Sequence, residues 1–244
     1  MSGNIHDRHR ERLDIKVAKE GLEFLEPHEQ LEYILFTVIP RANVNEVAHK
    51  MLRRFGSLAG VFNADVEQLM EFKGIGDRAA KFLKTLPALL GITERNLKYH
   101  KPPRLFTMEE ITAYASTFFY GKMLEEAYLF SLNSSFRLRS VIKISKGGET
   151  HTYITPKQVV RRALWDNAAV VLIVHNHPSG NPKPSYEDIA LSRQLNDAFA
   201  AVDIKFLDSV IISGQESYSI RGNGYLKKVK NLKDFEGEYE IQLI

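Results

Sequence analysis

The residues whose types and spacing best suit chemistry are His175, His177, Ser185 and Asp188. They stand in Val174-His175-Asn176-His177-Pro178-Ser179-Gly180-Asn181-Pro182-Lys183-Pro184-Ser185-Tyr186-Glu187-Asp188. Two imidazoles and a carboxylate are ordinary ligands of a divalent metal, zinc first, with iron, manganese and nickel also compatible. The chain has no cysteine, which removes disulfides, thiolate nucleophiles and every Cys-ligated metal site. Three protein ligands leave one coordination position open to water, as catalytic zinc sites do, and zinc lowers the pKa of that water toward about 7. A hydrolase also needs a carboxylate to take the water's proton. Glu125 and Glu126, at the head of EEAYLFSLN, both qualify.

The flanking elements explain how these side chains converge. Ala168–Val174 (AAVVLIV) is a continuous apolar run, the pattern of a strand buried on both faces. His175 and His177 leave its end, and residues i and i+2 of extended chain point to one side. Pro178 stops the strand, since it cannot donate to the ladder. Ser185 opens a helix over Ser185–Ala201, and Asp188 lies one turn in, on the same face. Ser185 with an acid three residues on is also a capping-box start, contributing about 1 kcal/mol to the helix.

Elsewhere the grammar changes once. Residues 1–95 read as helical: Leu22, Leu25, Leu31, Ile34, Leu35 and Val38 recur at helical spacing, followed by helices at Asn45–Phe55, Val66–Phe72 and Arg78–Leu90. Residues 96–106, with Pro102-Pro103, read as a linker. From 107 to 228, a helix at Met108–Tyr120 precedes strands at Glu125–Asn133, Arg137–Ile144 and Thr150–Ile154. A helix from Pro156 to Asp166, the buried strand, the Ser185 helix, and strands Ile204–Ser213 and Ser217–Ile220 follow, with a turn at Gly147-Gly148. Residues 229–244 read as a charged tail. Mixed strands and helices in layers make an α/β (α+β) sandwich the expected architecture.

The pattern His-x-His-Pro, six residues, Ser-x-x-Asp resembles the JAMM (MPN+) metalloprotease motif, with His175, His177, Pro178, Ser185 and Asp188 on its positions. His-Asn-His-Pro-Ser-Gly followed by Pro-Ser-x-x-Asp is similar to one branch, the bacterial RadC (UPF0758) family, whose members are named as DNA repair proteins. Residues 9–13 (HRERL), 29–35 (EQLEYIL) and 54–58 (RFGSL) resemble that family's helical N-terminal region. The resemblance implies a JAB/MPN mixed sheet sandwiched by helices, with cytidine-deaminase-like layering. It implies one zinc ion per chain on His175, His177 and Asp188, Glu125 as general base with Glu126 as runner-up, Ser185 stabilising the tetrahedral intermediate, and a protein or peptide substrate. Two stretches depart from the family's usual wording: Thr155-Pro156-Lys157-Gln158 before the second helix, and Asp208-Ser209 in the late strand.

A second motif, Phe72-Lys73-Gly74-Ile75-Gly76-Asp77-Arg78, resembles the hairpin of helix–hairpin–helix proteins. Such proteins hold nucleic-acid backbones without reading bases. Gly74 and Gly76 permit the turn, Lys73 and Arg78 add charge, and non-specific DNA is the partner implied. The other histidines show no ligand spacing, and Trp165 reads most simply as core. The net charge of +3 is too small to argue nucleic-acid binding by itself. No apolar run is long enough to span a bilayer, and the polar start MSGNIHDRHRERLD is unlike a secretory signal, so a cytoplasmic protein is expected.

Overall fold

The computed structural model describes residues 5–40, 42–146, 152–153, 155–214 and 216–226. The chain divides into two compact units, at Leu90/Gly91.

The first unit is helical: α1 (Ile5–Glu20), α2 (Pro27–Val38), α3 (Asn45–Phe55), α4 (Leu58–Asn63), α5 (Val66–Met70) and the first part of α6 (Asp77–Lys98). Its core gathers Leu31, Leu35, Met51, Val61, Leu69, Ile75 and Leu83. Leu31 and Leu35, one turn apart, are both 0% exposed, the outcome their spacing predicts. Glu32 is buried beside them and is held by His9 Nε2 at 3.1 Å and Asn45 Nδ2 at 3.0 Å. A buried carboxylate needs such partners. The short α4 was not anticipated; Ser57 caps it, accepting from Gly60 N.

The expected helix Arg78–Leu90 extends to Lys98 and carries Pro87 inside it. Its last turns, from Gly91 on, belong to the second unit: Arg95 donates to Thr117 O at 2.9 Å and stacks on Phe118 at 4.0 Å. Nor is the rest of the expected linker loose. Leu105 N donates to Phe136 O, Arg104 bridges Arg137, and Leu105 and Phe106 are buried.

The second unit follows with α7 (Met108–Ala115), β1 (Ala127–Leu132), β2 (Leu138–Lys143), β3 (Ser145–Lys146), β4 (Thr152–Tyr153), α8 (Pro156–Trp165), β5 (Val170–Asn176), α9 (Tyr186–Ala200), β6 (Lys205–Ser213) and β7 (Glu216–Ser219). The five-stranded sheet runs β2-β1-β5-β6-β7, and β3 pairs β4 separately. β5 is central, antiparallel to β1 and parallel to β6. That placement explains its unbroken apolar run, since both its faces are covered. Val170, Leu172 and Val174 face α7, in a core with Ile111, Tyr114 and Phe130. Val171 and Ile173 face α8 and α9, with Val159, Ala163, Leu195 and Phe199. The unit is thus a mixed sheet between helices, as the sequence predicts. Trp165 corrects the expectation of a core residue: it ends α8 at 83% exposed, because α8 buries Val159 and Ala163 instead. The Gly147-Gly148 turn and the 229–244 tail lie outside the described residues. No described helix is long and apolar enough to cross a membrane.

Candidate metal centre

The alternation of β5 decides where His175 goes. It follows Val171 and Ile173 onto the α8/α9 face, pinned between Ala127 of β1 and Ile211 of β6. His177 lies just past the strand. Its backbone N–H donates to Ile212 O at 2.9 Å, and its carbonyl accepts from Ser213 Oγ at 2.8 Å. The loop 178–184 then returns the chain to α9. Ser185 is the N-cap of α9: its Oγ accepts from Asp188 N at 3.1 Å, while its own N–H and Oγ–H donate to Asp188 Oδ2 at 2.8 and 2.7 Å. The capping box is therefore real, and it also fixes the Asp188 carboxylate.

His175, His177 and Asp188 are brought together, with ligand atoms all within 4.8 Å of one another. Nε2 of His175 lies 3.3 Å from Asp188 Oδ1, and Nε2 of His177 lies 3.6 Å from Oδ2. Burial raises the Asp188 pKa, but the two imidazoles and Ser185 outweigh it and hold the group well below the usual carboxylate range. The carboxylate beside His177 holds that imidazole's pKa above its ordinary value, against the effect of burial.

A divalent cation fits this donor set on two observations. His175 Nε2 is buried without a hydrogen-bond partner, because the geometry toward Asp188 gives proximity but no bond. A buried orphan nitrogen is costly unless something else satisfies it. His177 Nδ1 sits 2.9 Å from Asn181 O. Donation to that carbonyl engages Nδ1, the usual outer support of a ligating histidine, so Nε2, on the Asp188 side, is the nitrogen that would ligate a cation in place of its proton.

Glu125 lines the same cavity of about 810 Å³ as His177, Ser185 and Asp188. Glu126 does not. Its carboxylate is engaged by Lys143 at 2.6 Å, Lys122 at 3.3 Å and Tyr128 Oη at 2.6 Å. Burial raises its pKa, but Lys143 and Tyr128 prevail and lower it. Strand parity separates the pair: Glu125 is in phase with Ala127 and Leu129 on the His175 face, Glu126 with Tyr128 and Phe130 on the α7 face. Both residues lie just before β1 rather than within it.

One residue at the site escaped sequence reasoning. Asn176, 4% exposed, turns its side chain away from the two histidines. Its Oδ1 accepts from Glu126 N at 2.7 Å, its Nδ2 donates to Leu124 O at 3.2 Å, and its own N–H donates to Glu126 O at 3.2 Å. It thereby straps both peptides flanking Glu125. A buried amide between two histidines was the available signal.

At the departing stretches, Thr155 still caps α8, in a capping box with Gln158. Asp208 is fully buried and accepts from Ser209 N, Arg221 N and Ser219 Oγ; burial pushes its pKa up to about 6.

In the first unit, Gly74 takes φ 97° and Gly76 immediately precedes α6, with open space where a Cβ would point at either. Lys73 and Arg78 are exposed at this turn, and Asp77 pairs with Lys81 at 2.7 Å.

The layered fold and the His-His-Asp group define the class of protein: residues 105–225 match the RadC-like JAB domain, and residues 3–81 match the UPF0758 N-terminal domain. A UPF0758 protein of Janthinobacterium sp. (strain Marseille) is 32% identical over 90% of this chain and 96% of its own length. One from Ruegeria pomeroyi is 32% identical over 93% and 100%, and one from Vibrio parahaemolyticus 33% over 86% and 94%. The chain belongs to the UPF0758 family.

Proposed function

We propose that this chain is a metal-dependent hydrolase of JAMM type, holding one zinc ion on His175, His177 and Asp188 and cleaving an amide or isopeptide bond with water. The observation that carries the reading is the orphaned, buried Nε2 of His175 beside a carboxylate and a second imidazole of fixed tautomer. When bound, the ion would supply Lewis acidity and a water of lowered pKa. Glu125, on the same cavity, would act as the general base, holding a proton at its carboxylate and passing it to the leaving nitrogen. Ser185 holds Asp188 in place through two donated hydrogen bonds; an oxyanion role requires its hydroxyl to leave Asp188 Oδ2 first.

Elemental analysis of purified protein tests the reading. About one zinc per chain is expected, lost in His177→Ala and Asp188→Ala and retained in Glu125→Gln. A wild type that holds no metal after zinc is added back refutes it.

The open backbone at Gly74 and Gly76 favours a second, separate activity of the first unit: non-specific contact with a nucleic-acid backbone, helped by Lys73 and Arg78. Its signature is a salt-dependent DNA affinity that falls in Arg78→Glu.

A further inference from the structure

The outer stripe of α8 carries Gln158, Arg161, Arg162 and Trp165, at spacing i, i+3, i+4, i+7. Helices usually bury residues at that spacing. Here all four are exposed, and the helix docks through Val159 and Ala163 instead. Together with Ile142 of β2, the four line a cleft of about 550 Å³, none of whose lining residues borders the metal cavity. The volume falls within the range of ligand-binding clefts.

Among the described residues that line this cleft, the charged ones are Arg161 and Arg162, and none is acidic. The nearest carboxylate in sequence, Asp166, turns inward: its Oδ2 accepts from Ser131 Oγ at 3.0 Å and from Ser140 Oγ, and its Oδ1 pairs with Arg162 Nε at 3.2 Å. Its side chain is only 6% exposed. Among the described residues Arg161 has no ion-pair partner, whereas Arg162 pairs with Asp166. The surface therefore offers a flat π-face at Trp165, the exposed Arg161 guanidinium one turn away, and the Gln158 amide. A ligand that uses all three is planar, carries a negative charge, and has polar edges. An unpaired nucleobase with its phosphate meets each requirement, by stacking on indole and by contact with arginine. A purely acidic peptide would use the arginine and leave the indole bare.

We propose that the Trp165–Arg161 cleft binds single-stranded nucleic acid, one base stacked on Trp165 and a backbone phosphate on Arg161. This site is distinct from the hairpin at Gly74–Gly76 and independent of the metal reading.

Trp165 is the only tryptophan in the chain, so its fluorescence reports on this cleft alone. The full-length protein is titrated with an oligothymidylate of about twelve residues, a length within the usual single-strand site size. The expected result is saturable quenching. Anisotropy of the labelled oligonucleotide should show affinity falling about tenfold in Trp165→Ala, with a comparable loss in Arg161→Glu. Both residues are exposed, and an unchanged melting temperature verifies that the variants are folded. Binding without quenching, at an affinity indifferent to both substitutions, overturns the proposal and leaves the hairpin as the contact. Quenching by polyglutamate as strong as by oligothymidylate overturns it in favour of an acidic peptide. No binding by either probe overturns it outright.

Discussion

Replacing Asn176 by Ala removes the strap around Glu125 without touching His175, His177 or Asp188, the proposed metal ligands. Two side-chain hydrogen bonds disappear, at 2.7 Å from Glu126 N and 3.2 Å to Leu124 O. They do not cost the same. Leu124 is 66% exposed, so water replaces the bond to its carbonyl. The Glu126 N–H lies against a side chain only 4% exposed, and an unsatisfied buried donor costs about 1–3 kcal/mol. For a unit of about 150 residues, each kcal/mol lowers the melting temperature by about 2–4 °C, so a fall of about 2–12 °C is expected. His175 stays locked between β1 and β6 and His177 stays bonded to Ile212, so zinc stoichiometry is unchanged. Hydrogen exchange should lose protection at the Glu126 amide while α9 keeps its own. If the variant melts with the wild type, or loses its zinc, then Asn176 does not act by holding the peptides around Glu125.

Further consequences follow from the same geometry. Zinc at about a hundredfold excess over its dissociation constant stabilises a one-site protein by about 2.7 kcal/mol, or about 5–11 °C here; differential scanning fluorimetry should show that shift in the wild type and none in Asp188→Ala. In metal-free protein the depressed Asp188 pKa gives stability that is present above the unfolded carboxylate range, near 3.9, and is lost as pH falls below it. The raised His177 pKa gives stability that is present below about pH 6.5 and is lost as pH rises through its folded value. Melting curves in chelator should therefore show an alkaline decline that shrinks in His177→Ala, and an unchanged decline would contradict the pairing with Asp188. Ser185→Ala should cost about 1–2 kcal/mol of stability and weaken zinc binding in an equilibrium titration, while Ser185→Thr keeps most of both. Asp208→Ala strands the buried Ser209 and Arg221 amides and should cost about 3 kcal/mol or more by urea melt, with zinc content unaltered.

The grouping of His175, His177 and Asp188 was legible because its geometry is local. A strand of period two followed by a capped helix places His175, His177 and Asp188 without knowledge of the rest of the chain. The α/β layering was legible for a similar reason, since only a central strand tolerates so long an apolar run. That Glu125 rather than Glu126 lines the cavity followed only from the family resemblance and not from the residues themselves, because it depends on which face of β1 shares a layer with α9, a fact set by pairing across fifty residues. The length of α6 was hidden as well: Pro87 and the Pro102-Pro103 pair argue for a stop, but Arg95 finds Thr117 and Phe118 and holds the last turns in place. Trp165 was misread because composition alone puts tryptophan inside, whereas α8 had already filled its inner face with smaller side chains.

The spacing of the centre along the chain also bears on the order in which it assembles. His175, His177 and Asp188 span fourteen residues, so an ion bound by them closes a short loop at small entropic cost, even before the sheet has formed. Glu125 lies fifty residues upstream of His175 and reaches the cavity only when β1 pairs with β5, a slow non-local event. On the proposed reading, a nascent or partly unfolded chain can capture the ion before it can use it. Reactivity is thereby withheld until the sheet that shields the site is complete.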